Sequence, residues 1–190
     1  MKDNKLKVYV DGCSYTAAAG LSSDFKLANL LGADYDVSYE GKSNLSMFKD
    51  LHENILNYDT FVVNLTTADR FQLFEDDVCV PVLPNYNKAG RFVGTVMEDL
   101  YPIFHKVLFA RHNSKYYSQV SDAIADSIIL LLEKHNKKYV ISSWEQRNGI
   151  YADKINLLDF NNSLKIPNDG HLNENGMTLW AQQIMRMLND

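Results

Sequence analysis

Three residue types that together make a nucleophilic hydrolase site stand near opposite ends of this 190-residue chain. Ser14 follows the apolar run Val8-Tyr9-Val10, in the segment Asp11-Gly12-Cys13-Ser14-Tyr15-Thr16. Asp169 and His171 lie in Asn168-Asp169-Gly170-His171-Leu172-Asn173, just ahead of an amphipathic stretch. A serine hydroxyl is a weak nucleophile until a neighbouring base takes its proton. An imidazole, which ordinarily titrates at about 6.5, can take and return that proton near neutrality. A carboxylate on its other ring nitrogen fixes the tautomer and stabilises the imidazolium. The chain order Ser, Asp, His is one of several that give this geometry. If the fold joins the two ends, the expected chemistry is cleavage of an ester or transfer of an acyl group. The remaining histidines, His52, His105, His112 and His135, fall in or beside expected helices with no matching serine and acid. Cys13 is an alternative nucleophile, but its side chain should point away from that of Ser14 and into the core.

The elements that must position these residues follow from periodicity and punctuation. Lys7 to Asp11 reads as a buried strand ended by Gly12, and Asp24 to Leu31 as a short helix closed by Gly32. Tyr35 to Tyr39 alternates as a second strand, ended by Gly41. Ser43 is placed to cap a helix with Leu45, Phe48, Leu51, His52 and Ile55 on one face. Thr60 to Leu65 is a compact third strand. Arg70 to Gly94 breaks the rhythm with Pro81, Pro84 and Gly90, and reads as an excursion holding a hairpin inside one domain spanning 1–190. Helices are expected at about Val96 to Leu108 and at Ser114 to His135, the latter burying Val120, Ile124, Ile128 and Leu131. Lys138 to Ser142 and Ile155 to Leu158 complete the strands. Asn173 caps a last helix whose apolar face is Met177, Trp180, Ala181, Ile184 and Leu188.

Alternating strands and helices imply an α/β fold, a three-layer α/β/α sandwich around a mainly parallel five-stranded sheet. The natural flavodoxin-like order is 2-1-3-4-5, whose site lies beyond the carboxyl ends of the strands, where strands 1 and 3 part. Ser14 follows strand 1, Gly41 strand 2 and Thr66 strand 3, so these loops should converge. Tyr15, Arg70, Phe71, Phe74 and Trp144 are candidates to line a substrate pocket there.

Composition narrows the partners. A net charge of −5, with no cluster of Lys or Arg, argues against nucleic acid. The N-terminal apolar run is too short for a signal peptide or a membrane span, so a cytoplasmic location and no membrane span are expected. Cys13 and Cys79 make neither a disulfide framework nor a metal spacing, and neither a cofactor nor a metal is expected. A flavin or nucleotide binder is disfavoured, because the loop after strand 1 lacks a glycine-rich phosphate cradle.

Gly12-Cys13-Ser14-Tyr15-Thr16 resembles the first block of the SGNH hydrolases, the GDSL esterases and lipases. Gly41-Lys42-Ser43-Asn44 resembles their second block, and Asp169-Gly170-His171 with Leu172-Asn173 and Gly176 their last. The resemblance spans nearly the whole chain in order and spacing, and it implies the same three-layer sandwich and a Ser14-His171-Asp169 site. It also implies an oxyanion hole using the amides of Ser14 and Gly41. Two departures stand out. The third block, usually Gly-x-Asn-Asp, reads Thr66-Thr67-Ala68-Asp69, so Ala68 replaces the asparagine that completes the oxyanion hole. Asn44 or Thr67 is the expected substitute donor. The acid usually found three before the histidine is Asn168 here, with Asp169 at minus two instead. Relatives of this kind often act on small acyl groups, including O-acetyl groups on carbohydrates. The expected partner is therefore a small-molecule or glycan ester, handled by a monomer or homodimer. An O-acyltransferase, or an inactive binding or structural module on the same fold, are the rival readings.

Overall fold

The computed structural model describes residues 7–40, 42–68, 70–75, 78–82 and 114–189. Its centre is a five-stranded parallel sheet of β1 (Val8–Gly12), β2 (Tyr35–Asp36), β3 (Thr60–Leu65), β6 (Lys138–Ser143) and β7 (Ile155–Leu157). Their order is β2-β1-β3-β6-β7, the expected one. Every residue of β3 is buried, as a central strand covered on both faces requires. The register runs Val10↔Val62↔Val140 and ends at Gly12↔Asn64↔Ser142, so the carboxyl ends of the three middle strands finish level. A separate hairpin, β4 (Phe71–Glu75) and β5 (Val78–Val82), pairs antiparallel within the excursion. The helix expected at 96–108 lies outside the described residues.

Successive β-strand side chains point to opposite faces, and this splits the core in two. On one face Tyr9, Phe61, Val63 and Ile141 pack against helices α2 (Asn44–Asn54) and α3 (Ser114–Lys134). On the other, Val10, Val62 and Val140 pack against α1 (Leu27–Leu31) and α4 (Glu174–Asn189). In α4 the expected stripe is the buried one: Met177, Trp180, Ala181 and Ile184 are all shielded. Among the described residues no helix is long and apolar enough to cross a membrane.

Two helices present faces rotated from the expected ones. In α2, Met47 and Leu51 are fully buried with Asn44 and Ser46 beside them, whereas Leu45 and His52 face outward. In α3, Ser121, Ala125, Ile128 and Leu132 are buried and Val120 is exposed. The cause is polar. Asn44 Nδ2 donates to Ser121 Oγ at 2.7 Å and to Thr66 O at 3.1 Å, and its Oδ1 accepts from Thr66 N at 2.8 Å. Satisfying these buried groups turns Asn44 and Ser121 inward and leaves Leu45 and Val120 at the surface. The second strand is also shorter than expected. Pairing beyond Asp36 continues only as single bonds, Val37 N to Val10 O and Tyr39 N to Gly12 O.

Candidate active site

Gly12 ends β1, and a Cβ built there would sit 2.0 Å from Thr16 Oγ1. Only glycine lets the chain turn back so tightly. The residues beyond it coil once, with Ala17 N donating to Cys13 O and Ala19 N to Ser14 O. The next helix, α1, starts only at Leu27. Ser14 is 7% exposed at the start of this turn, while Cys13 points into the core with 1% exposure.

The base arrives from the other end of the sequence. Residues 164–173 form a tight loop tied by Ile166 N to His171 O at 2.7 Å and Asn173 N to Leu164 O at 2.8 Å. Asn168 takes φ of 63°, a left-handed conformation that asparagine tolerates. Asn173 Oδ1 accepts from Gly176 N at 3.0 Å, which caps α4 and fixes the loop to it. His171 Nε2 then lies 2.9 Å from Ser14 Oγ, across 157 positions of sequence. His171 Nδ1 lies 2.6 Å from Asp169 Oδ1. An ionised carboxylate only accepts, so it calls for a proton on Nδ1 and leaves the Nε2 lone pair for the Ser14 hydroxyl. Such a chain can move a proton off serine and hold the resulting imidazolium.

Aromatic rings brace this chain. Tyr15 packs on His171 with ring centroids 4.5 Å apart and stacks on Trp144 at 4.3 Å. Trp144 in turn meets Trp180 and Phe160. Trp144 therefore reaches the site through Tyr15 and backs it against the core. Burial pushes the Tyr15 phenol up, while the Arg70 charge pulls it down.

The other expected residues divide. Gly41 lies outside the described residues, as do Asp69 and the side chains of Phe71 and Phe74 on β4. Asn44 is a correction: both hydrogens of its amide are spent on Thr66 O and Ser121 Oγ, so its side chain has none left for an oxyanion. It clamps the third-block loop instead. Arg147, only 4% exposed, joins that clamp through Thr66 O, Ser121 Oγ and Ser143 Oγ. Glu145 Oε2 accepts from Ala68 N at 3.1 Å. Thr67 and Arg70 continue the same loop, joined by Arg70 N to Thr67 O. Ala68 and Arg70 line a cavity of about 120 Å³ with Leu45, Tyr117, Val120 and Ile124. The cavity opens beside the second- and third-block loops, and the Ser14-His171 pair is not part of its wall.

A buried ionic cluster was not expected. Lys42, 0% exposed, places Nζ 2.6 Å from Asp11 Oδ1 and 2.6 Å from Asp50 Oδ2, and donates to Val37 O at 2.9 Å. Tyr9 donates its hydroxyl to Asp11 Oδ2. Burial pushes the Asp11 carboxyl up to about 7, against the opposing pull of Lys42 and Tyr9. The cluster ties the second-block loop to the strand that carries Ser14. Its signal was present: an acid at the end of a strand buried on both faces must find a partner. Among the described residues no group of three His, Cys, Asp or Glu side chains could hold a metal ion.

No family model and no curated protein matches the sequence. Solved structures do match in fold. The psychrotrophic esterase EstA from Pseudoalteromonas sp., in a structure inhibited by monoethylphosphonate, superposes with a TM-score of 0.54 at 11% identity, covering 97% of both chains. A putative lipolytic protein of the G-D-S-L family from Desulfitobacterium hafniense gives 0.47 at 9% identity, over 96% of this chain and 99% of its own. The chain thus has an SGNH-like fold, built on the five-stranded parallel sheet described above.

Proposed function

We propose that this protein is a serine esterase that cleaves a small acyl ester through an acyl-enzyme on Ser14. The observation that carries the reading is the hydrogen-bonded chain from Ser14 Oγ to His171 Nε2 and from His171 Nδ1 to Asp169. The esterase fold of its structural neighbour agrees with it.

In this reading His171 takes the Ser14 proton as Oγ attacks the ester carbonyl, and Asp169 stabilises the imidazolium. The amides of Ser14 and Gly41 hold the tetrahedral oxyanion. His171 then protonates the departing alcohol, and water, activated by the same imidazole, releases the acid. A second alcohol in place of water would make the protein an acyltransferase. The small-acyl assignment, with an O-acetyl group on a carbohydrate as one candidate, draws on the resemblance to the SGNH hydrolases.

A binding module on the same fold is the second reading. It is favoured by Ala68 where an asparagine donor was expected, together with the full engagement of Asn44. Losing one oxyanion donor costs roughly a hundred- to a thousandfold in rate. The two readings separate on hydrolysis of 4-nitrophenyl acetate by wild type and Ser14→Ala. The esterase reading expects turnover that falls to background in the variant, with the far-UV circular dichroism unchanged. Equal rates from two folded proteins would support the binding module.

A further inference from the structure

The loop that lost its asparagine carries a cation two residues later. Arg70 lines the same cavity as Ala68, and its Nη1 is buried without a hydrogen-bond partner among the described residues. Leu45, Val120 and Ile124 form apolar walls, and the polar side chains of Asn44 and Ser121 are spent on each other, on Thr66 and on Arg147. Leu45 and Val120 are 48% and 37% exposed, so this apolar wall stands open instead of closing on the core. Arg70 lies on the loop that follows β3, and β3 neighbours β1, whose following loop carries Ser14. A buried guanidinium nitrogen without a partner is costly, and the cost disappears when an anion meets it. Guanidinium binds carboxylates in a planar fork, which makes carboxylate the matching group.

We propose that Arg70 is an anion receptor, and that the ester acted on at Ser14 carries a carboxylate that enters this cavity. The inference rests on the esterase reading for the identity of the ligand as an ester. Ala68 has no side-chain donor where the resemblance implies an asparagine, so the third block exchanges an oxyanion donor for a charge-reading pocket lined by Ala68 and Arg70.

The test is calorimetric titration of Ser14→Ala, which removes the nucleophile and reads binding without turnover. Two ester pairs locate the carboxylate. Monoethyl succinate against ethyl butyrate places it on the acyl side, and acetoxyacetate against propyl acetate places it on the alcohol side. The expected result is that one anionic ester binds at least tenfold tighter than its neutral partner. The same ester should weaken at least tenfold in Ser14→Ala/Arg70→Gln and less in Ser14→Ala/Arg70→Lys. Its affinity should also fall on raising sodium chloride, a readout that needs no change at Arg70. Neither anion binding better than its neutral partner would overturn the proposal, as would tight binding that survives Arg70→Gln. Failure of the esterase reading shows separately, as wild type inert toward 4-nitrophenyl acetate while the anion still binds through Arg70.

Discussion

The proposed esterase divides its work among Ser14, His171 and Asp169 in a way that single substitutions can separate. Asp169 holds the ring nitrogen that faces away from Ser14, yet its side chain is 43% exposed. Asp169→Asn should therefore cost little stability and much rate. A fall in kcat of about a hundred- to ten-thousandfold is expected, with KM and melting temperature nearly unchanged. Steady-state kinetics on 4-nitrophenyl acetate check it. Asp11 behaves in the opposite sense, because it is buried and ionisable and lies beneath the site. With its carboxyl raised to about 7, the folded protein holds this proton more tightly than the unfolded chain, which titrates nearer to about 4. The stability from this group is full below the lower value and is lost as pH rises through the upper one. The free energy of unfolding, from denaturant titration at each pH, should fall more steeply between pH 4 and 7 for wild type than for Asp11→Asn, by at most about 4 kcal/mol over the window. Parallel curves would contradict the assignment. The residues of this hydrogen-bonded chain were readable in the sequence as candidates because their types and spacing suit the chemistry. Lys42 and Arg147 were not, since a charged residue signals burial only once its partners, 31 and 26 positions away, are known to be adjacent.

The loops that carry these residues are set by how helices and strands seat on each other. Gly176, in the first turn of α4, lies so close to the preceding loop that an added Cβ would be 2.4 Å from Leu164 O. That carbonyl accepts from Asn173 N in the loop that presents His171. Gly176→Ala should thus push the helix off the loop, at a cost of about 1–3 kcal/mol. It should also lower kcat for the proposed esterase, although residue 176 touches neither Ser14 nor the histidine ring in the hydrogen-bond chain. Thermal melts and kinetics on one preparation measure both. A variant as stable and active as wild type would show that the close approach is not needed. The strands and the last helix were legible from apolar periodicity alone. The faces of α2 and α3 were not, because a count of apolar positions cannot see that Asn44 and Ser121 bond each other and Thr66. Those bonds outrank the burial of Leu45 and Val120, worth roughly 1.5–3 kcal/mol each when complete. The same rotation leaves the open apolar wall of the cavity beside Arg70.

Across the whole molecule, the parallel sheet turns a 157-residue separation into a hydrogen bond. The order β2-β1-β3-β6-β7 puts β1 inside the sheet, so the loop after it is flanked by the loops after β2 and β3. The last helix covers the face that holds Val10 and Val62, and it brings the His171 loop over the end of β1. Alternation of strand and helix made this topology legible despite the excursion between β3 and β6, and handedness restricted it to one natural order. The site beyond the strand ends followed from the topology. The cavity did not, because it depends on what Ala68 no longer fills and on where α3 sits. The central claim is that folding makes Ser14 a nucleophile by delivering His171 to it. The most direct measurement is reaction of the native protein with a fluorophosphonate, read by intact mass and peptide mapping. One adduct per chain, on Ser14, is predicted, absent after denaturation in urea and strongly slowed in His171→Ala. An adduct on Cys13, or no adduct on the folded protein, would contradict the account.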